Sequence, residues 1–321
     1  MLKPGVPCLI LAPMEGITDA PMREFQGRQE GFTYAISEFV RVSADVLKPT
    51  AFLRHVPELR NGSKTRSGLP VQVQILGGDP ERMAISAQNA VGAGATAIDI
   101  NFGCPAKTVN RHDGGASLLK HPTRIRDIVS AVRSSVPSEI PVSAKLRLGW
   151  DHIESITENA AMAIEGGASW ITIHARTRLQ GYAPPVFWEP IGKVREESPI
   201  PVVANGDIWS IEDFLRCREI TGCEHFMIGR GALANPNLSK QIANGLNQER
   251  AVEVGHWTWH ELLSQFSEIM EDFGMDNPRL IAMRMKQWLK LASNQSNFLD
   301  FDQIKTMTKS CEILKFLEDR T

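Results

Sequence analysis

Apolar positions along the chain gather into short clusters separated by longer amphipathic stretches. Eight β-rich runs, at 8–14, 34–40, 71–76, 97–101, 142–146, 170–174, 202–205 and 225–229, alternate with segments of helical period as far as about residue 240. That alternation predicts parallel strands joined by helices. Most of the runs read as near-continuous apolar stretches, the pattern of strands covered on both faces. Eight such strands predict an α/β fold, a (β/α)8 TIM barrel. One of its helices is predicted over 79–91, with Asp79 capping it and Pro80 at its first position.

The pattern changes at 244–255, where the sequence turns polar, and no strand signal returns beyond it. Leu262, Leu263, Phe266, Ile269 and Met270 recur at helical spacing, as do Ile281, Met285, Trp288 and Leu289, then Ile304, Ile313 and Leu317. The expected organisation is a barrel domain over 1–243, a linker over 244–255 and a small helical domain over 256–321. No repeat beyond the βα alternation is present.

Composition narrows the function classes. Apolar residues at 42% and charged residues at 22% are globular proportions and argue against disorder. The formal net charge of −2 leaves no global basic field, so contact with nucleic acid would need a local patch. No run approaches the roughly 20 apolar residues that span a bilayer, and no secretory signal opens the chain, so it reads as cytoplasmic with no membrane partner. Five cysteines without a CxxC pair predict reduced thiols and no metal site.

Active sites of TIM barrels lie where the strands end, and polar residues collect there. The first run ends in Pro13, Met14 and Glu15, the second in Glu38 and Arg41, and the third carries Gln74. The fourth ends in Asn101 and Cys104, the fifth presents Lys145 and Arg147, and the sixth His174 and Arg176. Asn205, Gly206 and Asp207 close the seventh, and Gly229, Arg230 and Gly231 the eighth. Loops after the last two strands often hold a phosphate, and the glycines with Arg230 suit one. Lys145 inside an apolar strand calls for a buried salt bridge or a bound anion. His174 reads as a core histidine or, beside Arg176, as a ligand contact. Cys104, in a Gly-Cys-Pro turn, reads as a nucleophile if a histidine such as His174 or His112 adjoins it. Otherwise it is a proton donor, for which a thiol of ordinary pKa is better suited. Residues 92–97 fit GxGxxA but follow a helix and precede a strand, the wrong order for a dinucleotide loop.

Taken together, Ala-Pro-Met-Glu-Gly-Ile-Thr-Asp (12–19), Gln-Ile-Leu-Gly (74–77), Asn-Phe-Gly-Cys-Pro (101–105), Lys-Leu-Arg (145–147), His-Ala-Arg-Thr (174–177), Asn-Gly-Asp (205–207) and Gly-Arg-Gly (229–231) resemble the flavin-dependent tRNA-dihydrouridine synthases. The resemblance covers the whole chain. Ser-Glu-Phe-Val-Arg-Val (37–42) and Arg-Met-Lys-Gln-Trp-Leu (284–289) are similar to the bacterial C-type branch, which acts on tRNA position 16.

The resemblance implies bound FMN across the barrel mouth and NADPH as reductant. Pro13, Met14 and Glu15 would border the ring system, Gln74 and Lys145 would bond its edge, and His174 would contact it nearby. Asn205, Gly206, Asp207, Gly229 and Arg230 would hold the phosphate. Hydride would pass to C6 of a uridine and a proton from Cys104 to C5, with Asn101 orienting the base. The implied partner is tRNA, met by a monomer with no protein partner. Arg279, Arg284, Lys286 and Lys290 form a basic run without an acidic residue, and Arg41 and Lys305 would join it. Two other classes remain open: an FMN barrel acting on a small molecule, and a noncatalytic RNA-binding protein.

Overall fold

The structure, a computed structural model, describes residues 2, 5–246 and 253–320. Nine parallel strands form its sheet: β1 (Cys8–Leu11), β2 (Tyr34–Ile36), β3 (Val40–Arg41), β4 (Val71–Leu76), β5 (Ile98–Asn101), β6 (Val142–Arg147), β7 (Trp170–His174), β8 (Val202–Asn205) and β9 (His225–Ile228). Since β1 pairs with both β2 and β9, and β2 with β4, the sheet closes into a (β/α)8 barrel.

β2 and β3 are the two halves of the second barrel strand, expected unbroken over 34–40. The break has a local cause. Gln74 N–H donates to the Ser37 hydroxyl at 3.0 Å, where an unbroken strand would supply a backbone carbonyl. Ser37 N–H still donates to Gln72 O at 2.9 Å, but residues 38 and 39 leave the ladder, and Glu38 comes to line the barrel mouth.

The expectation of apolar strands on both faces also needs correction. β4 to β7 alternate: Val71, Val73, Ile75, Ile98, Ile100, Ala144, Leu146, Ile171 and Ile173 belong to the large cluster packed with the helices. Their neighbours Gln72, Gln74, Asp99, Asn101, Ser143 and Thr172 are buried polar residues of the opposite face. Hydrogen bonds among them replace apolar contact in this half of the interior. Apolar filling comes from the other strands, through Cys8, Ile10, Tyr34, Ile36, Val203 and Met227, joined by Trp170 at the start of β7.

Asp79 accepts from Arg82 N–H and caps the Pro80–Gly92 helix, as its sequence predicts. Helix Leu238–Leu246 runs three residues past the boundary expected at 243, and half of the expected linker, 247–252, lies outside the described residues. Beyond it, Thr258 and Glu261 form a capping box for helix Trp259–Asp272, and Asn277 caps Pro278–Ser293. These helices share one apolar cluster with the barrel. Trp288 is the pivot: its ring lies edge-on 4.8 Å from Phe25, and its Nε1 donates to Leu233 O at 2.7 Å. Among the described residues no helix is long and apolar enough to cross a membrane.

Candidate active site

The C-terminal ends of the strands enclose a cavity of about 420 Å³, within the size range of ligand sites. All the residues expected at the cofactor, from Pro13 to Arg230, line it together with Asn101 and Cys104.

Cys104 sits in a turn held from both sides. Asn101 Oδ1 accepts the N–H groups of Gly103 and Cys104, each at 2.9 Å. On the far side Ala116 N–H donates to Cys104 O at 3.1 Å. Gly115, at φ +61°, permits that approach, since a Cβ there would stand 3.0 Å from the same carbonyl. Burial pushes the thiol pKa up, against the opposing pull of the Ala106 N–H and Arg147. The sulfur therefore carries its proton at neutral pH. Among the described residues no hydrogen bond joins the sulfur to a histidine, the contact that would activate it as a nucleophile.

Cationic groups dominate the wall from β6 to β9. Burial, then Arg147, pushes the Lys145 pKa down, while Asp99 and Cys104 pull it back. His174 is buried, and desolvation, followed by Arg147, Lys145, Arg176 and Arg230, holds its pKa well below the ordinary range, so the ring is neutral. Its Nδ1 is a buried polar atom with no hydrogen-bond partner among the described residues, which a bound ligand would supply.

The expected phosphate corner is built around Asp207. Its carboxylate accepts from Arg176 Nη1 at 2.9 Å and from Arg230 Nη2 at 2.8 Å. The Asp207 side chain thereby fixes the orientation of Arg230, which also lies over the rings of Tyr182 and Trp209. Gly206, at φ +129°, keeps the turn close to β7: a Cβ there would lie 3.1 Å from Ala175 Cβ. The opposite rim is acidic. Burial, then Asp19 and Glu15, pushes the Glu38 pKa up to about 7, against Arg23 and the Gly16 N–H.

A family model described as dihydrouridine synthase (Dus) matches residues 10–320. The chain belongs to the dihydrouridine synthase family. Curated relatives of the family include the tRNA-dihydrouridine(16) synthases of Neisseria meningitidis, 42% identical and covering 96% of this chain and 93% of the relative, and of Shewanella oneidensis, 42% identical and covering 97% of each. The enzyme of that name from Vibrio vulnificus is 43% identical, with 96% of both chains covered. Among solved structures, histamine dehydrogenase from Rhizobium sp. 4-9 superposes with a TM-score of 0.55 at 14% identity, covering 81% of this chain and 48% of that one. A 2-naphthoyl-CoA reductase gives 0.57 at 12%, covering 77% and 51%. These two share the barrel fold.

In this dihydrouridine synthase the residues expected to meet tRNA scatter. Asn101 lines the cavity, whereas Arg41 does not and donates instead to Thr108 O at 3.3 Å. Arg284 is not on the surface: it is buried, paired with Asp19 at 2.9 Å and donating to Gly16 O and Ile17 O. Lys286 donates to Met307 O at 2.7 Å and Lys305 O at 3.3 Å. Lys305 is exposed but paired with Asp302 at 2.8 Å. Arg147, a strand-end cation in the sequence, donates to the carbonyls of Gly103, Thr177 and Gly181 and so ties two mouth loops together.

Sequence reasoning missed Tyr182 and Asp99. Tyr182 stands in the loop after β7, its ring edge-on to His174 at 6.5 Å, and its sequence carries no signal beyond lying past a strand end. Asp99 did carry one: a carboxylate between Ile98 and Ile100 is as anomalous as Lys145 in its own strand.

Proposed function

We propose that the chain is an FMN-dependent, NADPH-driven tRNA-dihydrouridine synthase that reduces the C5–C6 bond of the uridine at position 16. The observation that carries this reading is the joining, in one cavity, of a cationic corner at Arg230 to a protonated Cys104 thiol. The names borne by its relatives support the substrate and the position. The residues present fit the cofactor: the lone Nδ1 of His174, the Gly206 turn and the Arg230 guanidinium are what a phosphorylated ring system would occupy. When bound and reduced by NADPH, the flavin would supply hydride to C6 of the uracil.

The chain's own residues do the rest. Asn205, Gly206, Gly229 and Arg230 hold the phosphate, with Asp207 aligning Arg230. Gln74 and Lys145 bond the ring edge, His174 contacts the cofactor nearby, and Pro13, Met14 and Glu15 border the ring. Cys104 donates the proton to C5 from a turn fixed by Asn101. Residues 1–243 carry the chemistry and 256–321 bind tRNA, in a monomeric cytoplasmic protein; the target base leaves its stack to enter the cavity.

Cys104→Ala tests the assignment in two half-reactions. Loss of a positioned acid lowers uridine reduction about 10²-fold or more. NADPH oxidation by the bound flavin stays at the wild-type rate. Normal dihydrouridine formation by the variant would end the proton-donor role.

A further inference from the structure

Beneath Cys104 the barrel interior holds a carboxylate that the chemistry above leaves without a role. Asp99, on β5, is fully buried and stands in register with Gln74 of β4 and Ser143 of β6. Its Oδ1 accepts from Ser143 Oγ at 2.5 Å and its Oδ2 from Gln74 Nε2 at 2.7 Å. Gln74 Oε1 then accepts from Asn101 Nδ2 at 2.8 Å, and Asn101 Oδ1 accepts the Gly103 and Cys104 N–H groups. On the other arm Gln72 Nε2 donates to Ser143 Oγ at 2.9 Å.

Every donor in this row points toward Asp99. A carboxamide turned by 180° fills the same space, so shape does not decide which way Gln74 and Asn101 face; their partners do. An ionised carboxylate only accepts, and it therefore forces Gln74 to present its amino group downward and its carbonyl to Asn101. Asn101 must then turn its own carbonyl onto the Cys104 turn. The second N–H of Gln74, which lines the cavity, is the group it has left to offer a ligand.

The geometry assigns Asp99 as a positioning residue: it sets the sense of the row that runs through Gln74 and Asn101 to Cys104, and, lying two residues before Asn101, the register partner of Lys145 on the adjoining strand, it is the interior carboxylate that balances the Lys145 charge. Arg147, Cys104 and His174 share the cavity lining with Lys145, and Asp99 stands on the adjoining strand; of these Asp99 and Cys104 favour its charged form. Burial raises the Asp99 pKa, and the Ser143 and Gln74 bonds and Lys145 oppose that rise. The inference rests on the flavin reading for what Gln74 and Lys145 hold, but not for the Asp99 to Lys145 coupling.

The test uses Asp99→Asn, an isosteric change that removes the charge and lets the group donate as well as accept. In the cofactor-free protein, competitive acetic anhydride labelling read by peptide mass spectrometry gives the pH at which Lys145 loses its proton. The midpoint is expected to fall by about one pH unit, the size of a single neighbouring charge. Titration with FMN is expected to show a dissociation constant about tenfold higher, the factor that corresponds to about 1.4 kcal/mol. Ser143→Ala withdraws only the hydroxyl that favours the ionised carboxylate and shifts the Lys145 midpoint the same way by a smaller step, which keeps the test open should Asp99→Asn not fold. An unchanged midpoint, or an FMN affinity within about threefold of wild type, overturns the assignment. Failure of the wild-type protein itself to take up FMN would remove the flavin reading, whereas the labelling result judges Asp99 with no cofactor present.

Discussion

Arg284→Ala removes a guanidinium that reaches from helix Pro278–Ser293 to the loop after β1. It donates to Gly16 O, to Ile17 O at 2.9 Å and to Gln287 Oε1 at 2.5 Å, and it pairs with Asp19, the cap of helix Ala20–Arg28. Breaking a fully buried pair from one side costs about 3–5 kcal/mol, mostly for the charge left behind. Here the Arg284 side chain is 8% exposed but that of Asp19 is 23% exposed, so the stranded carboxylate regains some water. The expected loss is about 3 kcal/mol, the low end of that range. Thermal unfolding followed by circular dichroism reads it as a fall of roughly 6–12 °C. Arg279→Ala, on the same helix but exposed, shifts stability by less than about 0.5 kcal/mol. A second measurement separates structure from RNA contact: each phosphate contact contributes about 0.7–0.9 to the slope of log affinity against log salt, and Arg284→Ala leaves that slope unchanged. A variant that melts like wild type and loses one contact's worth of slope would refute the buried-anchor reasoning.

Two further outcomes follow from the charges at the mouth. Glu38 has a folded-state pKa raised to about 7 from an ordinary 4.5, so the folded protein binds the extra proton between those values and loses stability as pH rises through that window. Glu38→Gln removes the decline and gains about 1–3 kcal/mol above pH 7 while matching wild type near pH 4.5, in urea unfolding at each pH; parallel curves for the two proteins would dismiss it. Arg230→Ala raises the FMN dissociation constant by about ten- to a hundredfold, as the loss of a charge-assisted phosphate contact should, and unchanged affinity would take Arg230 out of the site.

What the sequence made legible was set by how local each signal is. The βα alternation survives in any register, so the barrel and the strand-end residues could be read directly. The break at Ser37–Phe39 could not, because it depends on a hydroxyl reaching the neighbouring strand at Gln74. Alternation in β4 to β7 was readable but was outweighed by the apolar count, and Gln72, Asp99 and Thr172 were passed over. Arg284 is the sharper lesson. It lies three residues after Ile281 and four before Trp288, so helical period places it on the buried stripe with Met285 and Leu289. Grouping cations by proximity along the chain assigned it to a surface that period alone would have denied it.

Charge counted along a sequence and charge available to a polyanion are different quantities in this protein. Arg23 is buried and paired with Glu58 at 2.7 Å, Arg176 with Asp207, Arg284 with Asp19, and Arg147 faces three carbonyls. Guanidinium suits such places because its planar fork stays charged and satisfies several acceptors at once. Of the four cations in 277–290, Arg284 and Lys286 are committed to the protein's own carbonyls, and Lys290 lies 4.9 Å over the Phe301 ring, which leaves its charge at the surface. Arg279 and Lys290 therefore offer about two phosphate contacts, a salt slope of about 1.4–1.8 and not twice that. The cations that line the cavity are Lys145, Arg147 and Arg230, across from the acidic rim of Glu15 and Glu38. A field arranged that way draws an anionic ligand into the barrel mouth while the outer surface stays weakly charged, which is how a chain of net charge −2 can engage an RNA substrate.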